Sequence, residues 1–213
     1  MHPLIKSIAD RTSQGISFSG FEGLERGKPY LFVSNHRDIV LDSAILQALL
    51  VDNGLDTSEI TFGSNLMTDN FVIDLGKVNR MYKVDRGTNK KQLLENSKKL
   101  SAYIRYSITK KKVSSWIAQR NGRTKDGNDR TETGLLKMFK MSGSKDFIES
   151  FGELNIVPMS VSYEYEPCCR FKVNELYISR NQTYVKKQVK ICKVLYRVLH
   201  NQKGTYILLL GIR

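Results

Sequence analysis

The sequence is poor in several of the residues that build special architectures. Its 213 positions hold three cysteines, three histidines, four prolines and one tryptophan. Cys168, Cys169 and Cys192 have no metal-ligand spacing, and an odd count with an adjacent pair argues against a disulfide scaffold. A reducing, cytosolic setting is the simple reading. No apolar run approaches the roughly 20 residues that a membrane span needs. The opening MHPLIKSIADRTSQG is too polar for a signal peptide. Internal repeats and low-complexity linkers are also missing, so the composition is that of an ordinary globular chain. Acidic residues are scarce relative to basic ones: 21 against 34, a net charge of +13. That balance favours anionic partners, whether a phosphorylated substrate, a phospholipid surface or nucleic acid.

What is present alternates between strand-like and helix-like stretches. Residues 3–12 read as a short amphipathic helix and PYLFVSNH (29–36) as a buried strand feeding a loop. Asp42 stands at the positive end of a helix through SAILQALLV, with Gly54 suited to its end. EITFGSN (59–65) and RMYKVDRG (80–87) read as strands. Residues 88–110 give the longest helical pattern, with Leu93, Leu100, Ile104 and Ile108 on one face and Lys90, Lys91, Lys98, Lys99 and Arg105 on the other. VSSWIAQ (113–119) reads as a strand, 134–141 and 145–152 as helices, and NIVPMSVSYEYEP as a strand. The order predicts an α/β fold with a mostly parallel central sheet flanked by helices. In such sheets the site lies beyond the strand C-termini, where SNHRD, VDRG and AQRNGR would gather.

His36 is the histidine placed for chemistry, where a strand ends and a helix begins. SNHRDIVLDSAIL resembles the first motif of the glycerol-phosphate (lysophosphatidic acid) acyltransferase superfamily, in which an Asn-His pair is followed by an Asp that opens a helix. The resemblance implies His36 as general base and Asp42 as its orienting carboxylate. An imidazole can take the proton of an attacking alcohol near neutral pH, and the thioester needs no protein nucleophile. Five residues separate His36 from Asp42 where the family has four, so Asp38 is the reserve partner.

Three further motifs follow in the family's order. GKVNRMYKVDRG supplies Gly76, Tyr82 and Arg86, and the resemblance implies Arg86 as a phosphate ligand, since its planar fork suits that anion. The family's Glu-Gly-x-Arg is answered by Asn121, Gly122 and Arg123. Asn121 removes a carboxylate, and the base stands one position early as Arg123 or one late as Lys125. These residues are expected to bind the acceptor phosphate. Val157 and Pro158, then Tyr163 and Glu164, match a fourth strand motif. Pro158 suggests an edge or a bulge.

The resemblance covers residues 30–167. It implies a fatty acyl transfer from acyl-CoA or acyl carrier protein, as co-substrate rather than cofactor, to glycerol-3-phosphate or its 1-acyl derivative. The expected partners are the acyl donor, the phosphate-bearing lipid acceptor and the anionic cytosolic face of a membrane, to which the protein would bind peripherally. Two other readings stand beside it: another acceptor such as an amino-lipid, which the altered third motif leaves open, and a basic nucleic-acid-binding protein. The last lacks any docking motif, and the aromatics show no stacking pattern beside the basic runs, so no nucleic acid is expected.

Residues 1–188 are expected to form the acyltransferase domain. Residues 189–213 stand apart, with five Lys and Arg, no acid, and the apolar run YILLLGI. Such an ending is poor design for a soluble terminus, and a shift of reading frame would explain it. The alternative is a basic amphipathic helix with Val194, Leu195 and Val198 facing the core or a membrane. A packed internal strand over residues 206–210 would count against the shifted frame.

Overall fold

The computed structural model describes residues 2–66, 70–85, 87–166, 168–183, 196–197 and 200–211. Seven strands are formed: β1 (Gly15–Ser19), β2 (Leu31–Ser34), β3 (Glu59–Gly63), β4 (Met81–Val84), β5 (Ser115–Ala118), β6 (Ile156–Tyr163) and β7 (Thr205–Leu210). The α-helices are α1 (His2–Thr12), α2 (Leu41–Asp52), α3 (Asn70–Val78), α4 (Lys90–Tyr106), α5 (Thr133–Lys140), α6 (Phe147–Gly152) and α7 (Cys169–Asn181). All strands join one sheet in the order β1-β7-β6-β2-β5-β3-β4. From β6 to β4 the neighbours are parallel; β7 runs antiparallel to β6 and carries β1 parallel to itself. The mostly parallel α/β sheet flanked by helices is thus the fold.

The apolar strand β2 lies at the centre because both of its faces are covered. Successive residues point to opposite faces. Phe32 packs with Ile45, Leu46 and Leu49 of α2, Ile5 and Ile8 of α1, Ile60 and Trp116. Leu31 packs with Ile104, Ile108, Met138, Phe139 and Leu154 on the side of α4, α5 and α6.

Helix α4 differs from its expected pattern at both faces. Ile104 and Ile108 are buried, whereas Leu93 is half-exposed. Arg105 is not on the solvated basic face with Lys90, Lys91, Lys98 and Lys99. Its guanidinium donates to the carbonyls of Phe139 and Ser150, each at 2.9 Å, and pairs with Glu153 at 2.6 Å. It thereby satisfies orphan carbonyls of α5 and α6, which a short helix cannot satisfy alone. Past Tyr106 the helix widens into a π-turn over Ser107–Lys111 and stops at Lys112, whose φ is +58°.

Two further expectations are corrected. Pro158 is neither on a sheet edge nor at a bulge. It sits in β6, opposite Val33 of β2. The pairing of β6 with β7 runs only from Met159 to Tyr163, so Pro158 lies one residue beyond that ladder. There it faces Gly211: its carbonyl accepts from the Gly211 N–H at 2.8 Å, and the reciprocal bond that proline cannot donate is missing where the ladder stops.

The boundary at residue 188 also fails for the last part of the chain. Residues 189–195, 198 and 199, with Val194, Leu195 and Val198 among them, lie outside the described residues. Residues 205–210, however, form β7, hydrogen-bonded on both sides inside the sheet. The run YILLL alternates: Tyr206, Leu208 and Leu210 are buried in the main core while Ile207 and Leu209 are about half exposed. A period of two is the signature of a strand covered on one face, which the unbroken apolar letters conceal. Lys203, just before β7, is fully buried and donates to Thr12 Oγ1 at 2.9 Å and the Asn201 carbonyl at 2.6 Å. Burial pushes its pKa down to about 8. Because β7 is an interior strand, Leu208→Ala is expected to cost roughly 2–5 kcal/mol in urea unfolding. Ile207→Ala, on the outer face, should cost less than about 1 kcal/mol. Equal and small effects at both positions would show that the strand is not packed.

Candidate functional site

The site is built on the C-terminal ends of β2, β5 and β6. After Ser34 the chain turns through Asn35, His36, Arg37 and Asp38 into α2. Asn35 is buried and fastens this turn to β6: its side-chain amide donates to the Val161 carbonyl at 3.0 Å and its oxygen accepts from the Val161 N–H at 2.8 Å. The same amide also reaches Asp129 at 3.2 Å.

Asp42, in the first turn of α2, is fully buried. Its Oδ2 accepts from His36 Nδ1 at 2.9 Å, from the Arg37 N–H at 2.7 Å and from the Asp38 N–H at 3.0 Å. Oδ1 shares the Asp38 N–H at 3.0 Å and accepts from the Tyr163 hydroxyl at 2.6 Å. An ionised carboxylate only accepts, so the proton of the contact with His36 belongs to Nδ1. That tautomer leaves Nε2 as the basic nitrogen of a ring whose side chain is 17% exposed. The His36 ring also meets Trp116 edge-on, with centroids 5.9 Å apart.

Asp38, the reserve partner, turns the other way. Its Oδ1 accepts from the N–H groups of Val40 and Leu41, each at 2.9 Å, so it caps the start of α2. Its Oδ2 is buried without a hydrogen-bond partner among the described residues. Burial, and then the charge of Asp42, raise its pKa, against the backbone bonds and Arg123. The extra residue in the spacing is taken up by this capping turn, and the carboxylate that reaches the imidazole belongs to Asp42.

The third motif is brought to the same place, because the Thr124 N–H donates to the His36 carbonyl at 2.9 Å. Gly122 takes φ +75°, a turn conformation that suits glycine, with open space where a Cβ would stand. Asn121 is exposed, and its N–H donates to Glu132 at 3.1 Å. A carboxylate thus stands beside this loop, though from eleven positions further on. Neighbouring cations are engaged: Arg37 with Asp129 at 2.9 Å, Lys125 with Glu175, and Lys172 with Glu166 and the Arg37 carbonyl. Burial, with Arg123 and Arg37 nearby, pushes the pKa of Lys172 down to about 8. Arg123 is only partly exposed, lies beside the Cys168 thiol, and has its Nη1 buried without a partner among the described residues. Between the two bases, Arg123 is therefore the less committed. Arg86 lies outside the described residues. Tyr82 faces away from the site, bonded to Ser115 Oγ at 2.8 Å and packed on Tyr103.

A cavity of about 300 Å³ opens next to the His36 turn. Ile39 and Val40 stand at the end near the turn, Ala44, Ile60, Phe62 and Leu75 form its walls, and Gly76 is among its lining. Its surface is mainly hydrocarbon, with Gln47 satisfied locally by Ser58 through bonds of 2.9 and 2.7 Å.

Sequence reasoning placed Tyr163 on its strand without a role and did not assign α7, which carries Lys172. The signal for Tyr163 was weak: a tyrosine at a strand end, 121 positions from the carboxylate it holds.

A family model described as Acyltransferase matches residues 15–162. Among solved structures the chain is similar to the 1-acyl-sn-glycerophosphate (LPA) acyltransferase PlsC from Thermotoga maritima, at 11% identity and a TM-score of 0.50. The match covers 97% of this chain and 67% of that one. At that identity the likeness speaks to the fold alone. No curated protein matches.

The Asn35 clamp generates a stability prediction. Asn35→Ala leaves the buried N–H and carbonyl of Val161 unpaired, so chemical unfolding should show a loss of roughly 1–3 kcal/mol. A neutral result would mean that water replaces the amide.

Proposed function

The chain belongs to the acyltransferase family, and from that premise we propose that it moves a fatty acyl group from acyl-CoA or acyl carrier protein to glycerol-3-phosphate or 1-acyl-glycerol-3-phosphate. The observation that carries this reading is the 2.9 Å bond between His36 Nδ1 and a buried, fully hydrogen-bonded Asp42. It leaves Nε2 as the basic nitrogen of a turn that runs on into Ile39 and Val40, which line an apolar cavity.

In this reading the acceptor hydroxyl gives its proton to His36 Nε2 as its oxygen attacks the thioester carbonyl. Asp42 stabilises the imidazolium that forms, without taking the proton. The tetrahedral adduct then collapses, the carbon–sulfur bond breaks, and the leaving thiolate takes the proton back from Nε2. The products are an ester and a free thiol, and His36 returns to its starting state. Arg123, with Arg86, is assigned to the acceptor phosphate, and Asn121 and Gly122 to the loop that carries it. The cavity walls of Ile39, Val40, Ala44 and Phe62 suit a hydrocarbon chain, whose burial contributes about 0.8 kcal/mol per methylene.

Among the described residues no helix is long and apolar enough to cross a membrane. The net charge of +13 and the exposed lysines of α4 support peripheral binding to an anionic cytosolic surface.

The test is transfer of labelled acyl groups from both donors to both acceptors. His36→Ala should lower turnover by roughly 10²–10⁴-fold in a folded protein, with Asp42→Ala nearly as severe and Asp38→Ala milder. Full activity of folded His36→Ala would end the mechanism. Arg123→Ala should raise the KM for a phosphate-bearing acceptor and leave the donor KM unchanged. An equal rise for both would remove the phosphate assignment. Sedimentation with anionic but not neutral vesicles, weakening as salt is added, checks the surface.

A further inference from the structure

We propose that Tyr163 is a positioning residue for acyl transfer, holding Asp42 by its hydroxyl so that the carboxylate presents its other oxygen to His36. This rests on the reading of His36 as the general base.

Asp42 has few side-chain contacts to keep it in place. Two of its donors are the backbone N–H groups of Arg37 and Asp38. Among the described residues, the side chains that bond it are His36 and Tyr163. They divide the carboxylate, His36 on Oδ2 and Tyr163 on Oδ1, so the tyrosine bond fixes rotation about the carboxylate's own axis. At 2.6 Å it is a charge-assisted contact, in the range of the strong O–H···O⁻ bonds.

Tyr163 is itself held from the far side. It is the last residue of β6, it pairs across the ladder with Tyr206 of β7, and the two rings meet edge-on at 5.2 Å. Tyr206 is 1% exposed. The support of the site therefore runs from β7 through two tyrosines to Asp42 and His36. Burial, and then the charges of Asp42 and Asp38, keep the Tyr163 pKa well above its ordinary value, so the hydroxyl remains a donor throughout an assay range. The other ionisable groups around Asp42 are Asp38 in the same turn and Lys172 of α7. Neither makes a hydrogen bond to it through its side chain.

The test is Tyr163→Phe, which keeps the ring in the core and removes one oxygen. It should lower kcat about tenfold with both KM values near those of the parent, and lower the melting temperature by a few degrees, since a buried carboxylate loses one donor. The acid limb of the pH–rate profile should move to higher pH. With one donor lost, Asp42 bears more fully on His36 Nδ1–H and favours the imidazolium, so more alkali is needed to free the base. In an Asp42→Asn background the same change should add nothing, because the tyrosine acts through that carboxylate. An unchanged kcat, a loss that multiplies with Asp42→Asn, or a fall in activity with no movement of the pH profile would each overturn the proposal. If Tyr163→Phe unfolds, site-specific 3-fluorotyrosine at 163 replaces it: it keeps the bond with a stronger donor, and a His36 imidazole titration by NMR with the same midpoint as the parent overturns the proposal. His36→Ala is assayed alongside. Its retention of activity would overturn the general-base reading and this inference with it. Its inactivity beside a fully active Tyr163→Phe would overturn this inference alone.

Discussion

A charged carboxylate with no access to water is the constraint around which this structure is arranged. Asp42 lies where α2 begins, with the positive end of the helix at its back. Burying an unpaired carboxylate costs several kcal/mol, so its lone pairs must find donors. The turn from β2 to α2 folds its own N–H groups onto Asp42, the imidazole of His36 completes one oxygen, and Tyr163 completes the other. Each donor comes from an element that the sheet order places beside β2. A parallel neighbour at β6 is needed for Tyr163 to reach it, and α2 must start where it does for the turn to close. The geometry of the candidate site and the fold are in this sense the same set of bonds.

That dependence explains what could be read from the letters. The strands β2 to β6 announce themselves through apolar runs bounded by turns, and the first motif is local, with His36 and Asp42 six positions apart. The inserted residue is not decided by spacing. It is resolved by the capping role of Asp38, which depends on where α2 begins. Arg105 could not be placed from the helical wheel, because it is spent on carbonyls of α5 and α6 that are close only in the folded chain. Strand β1 is a short and largely exposed segment, and α7 is a polar helix whose mean apolar signal is low. Tertiary contact supports both more than propensity does.

The last strand is the most instructive difference. Read as composition, residues 205–210 are an apolar run in a basic setting and look out of place. Read as a period of two, they are a strand with one face in the core, and that face carries Tyr206. β7 runs antiparallel to β6, with α7 in the connection between them. The sheet order sets β7 between β1 and β6, where removing it would expose two rows of backbone hydrogen-bonding groups at once.

The same geometry divides the labour between the two halves of the site. The His36 turn is fastened on three sides: its backbone is bonded to Asp42 and to Thr124, and the Asn35 side chain ties it to Val161. Precision of this kind suits proton transfer, where misplacement by a fraction of an ångström is costly. The cavity beside it is lined mainly by hydrocarbon, with a few polar side chains such as Gln47 among its walls. Under the proposed function, altering Ala44, Phe62 or Gly76 would reshape this cavity without disturbing the bonds that hold Asp42.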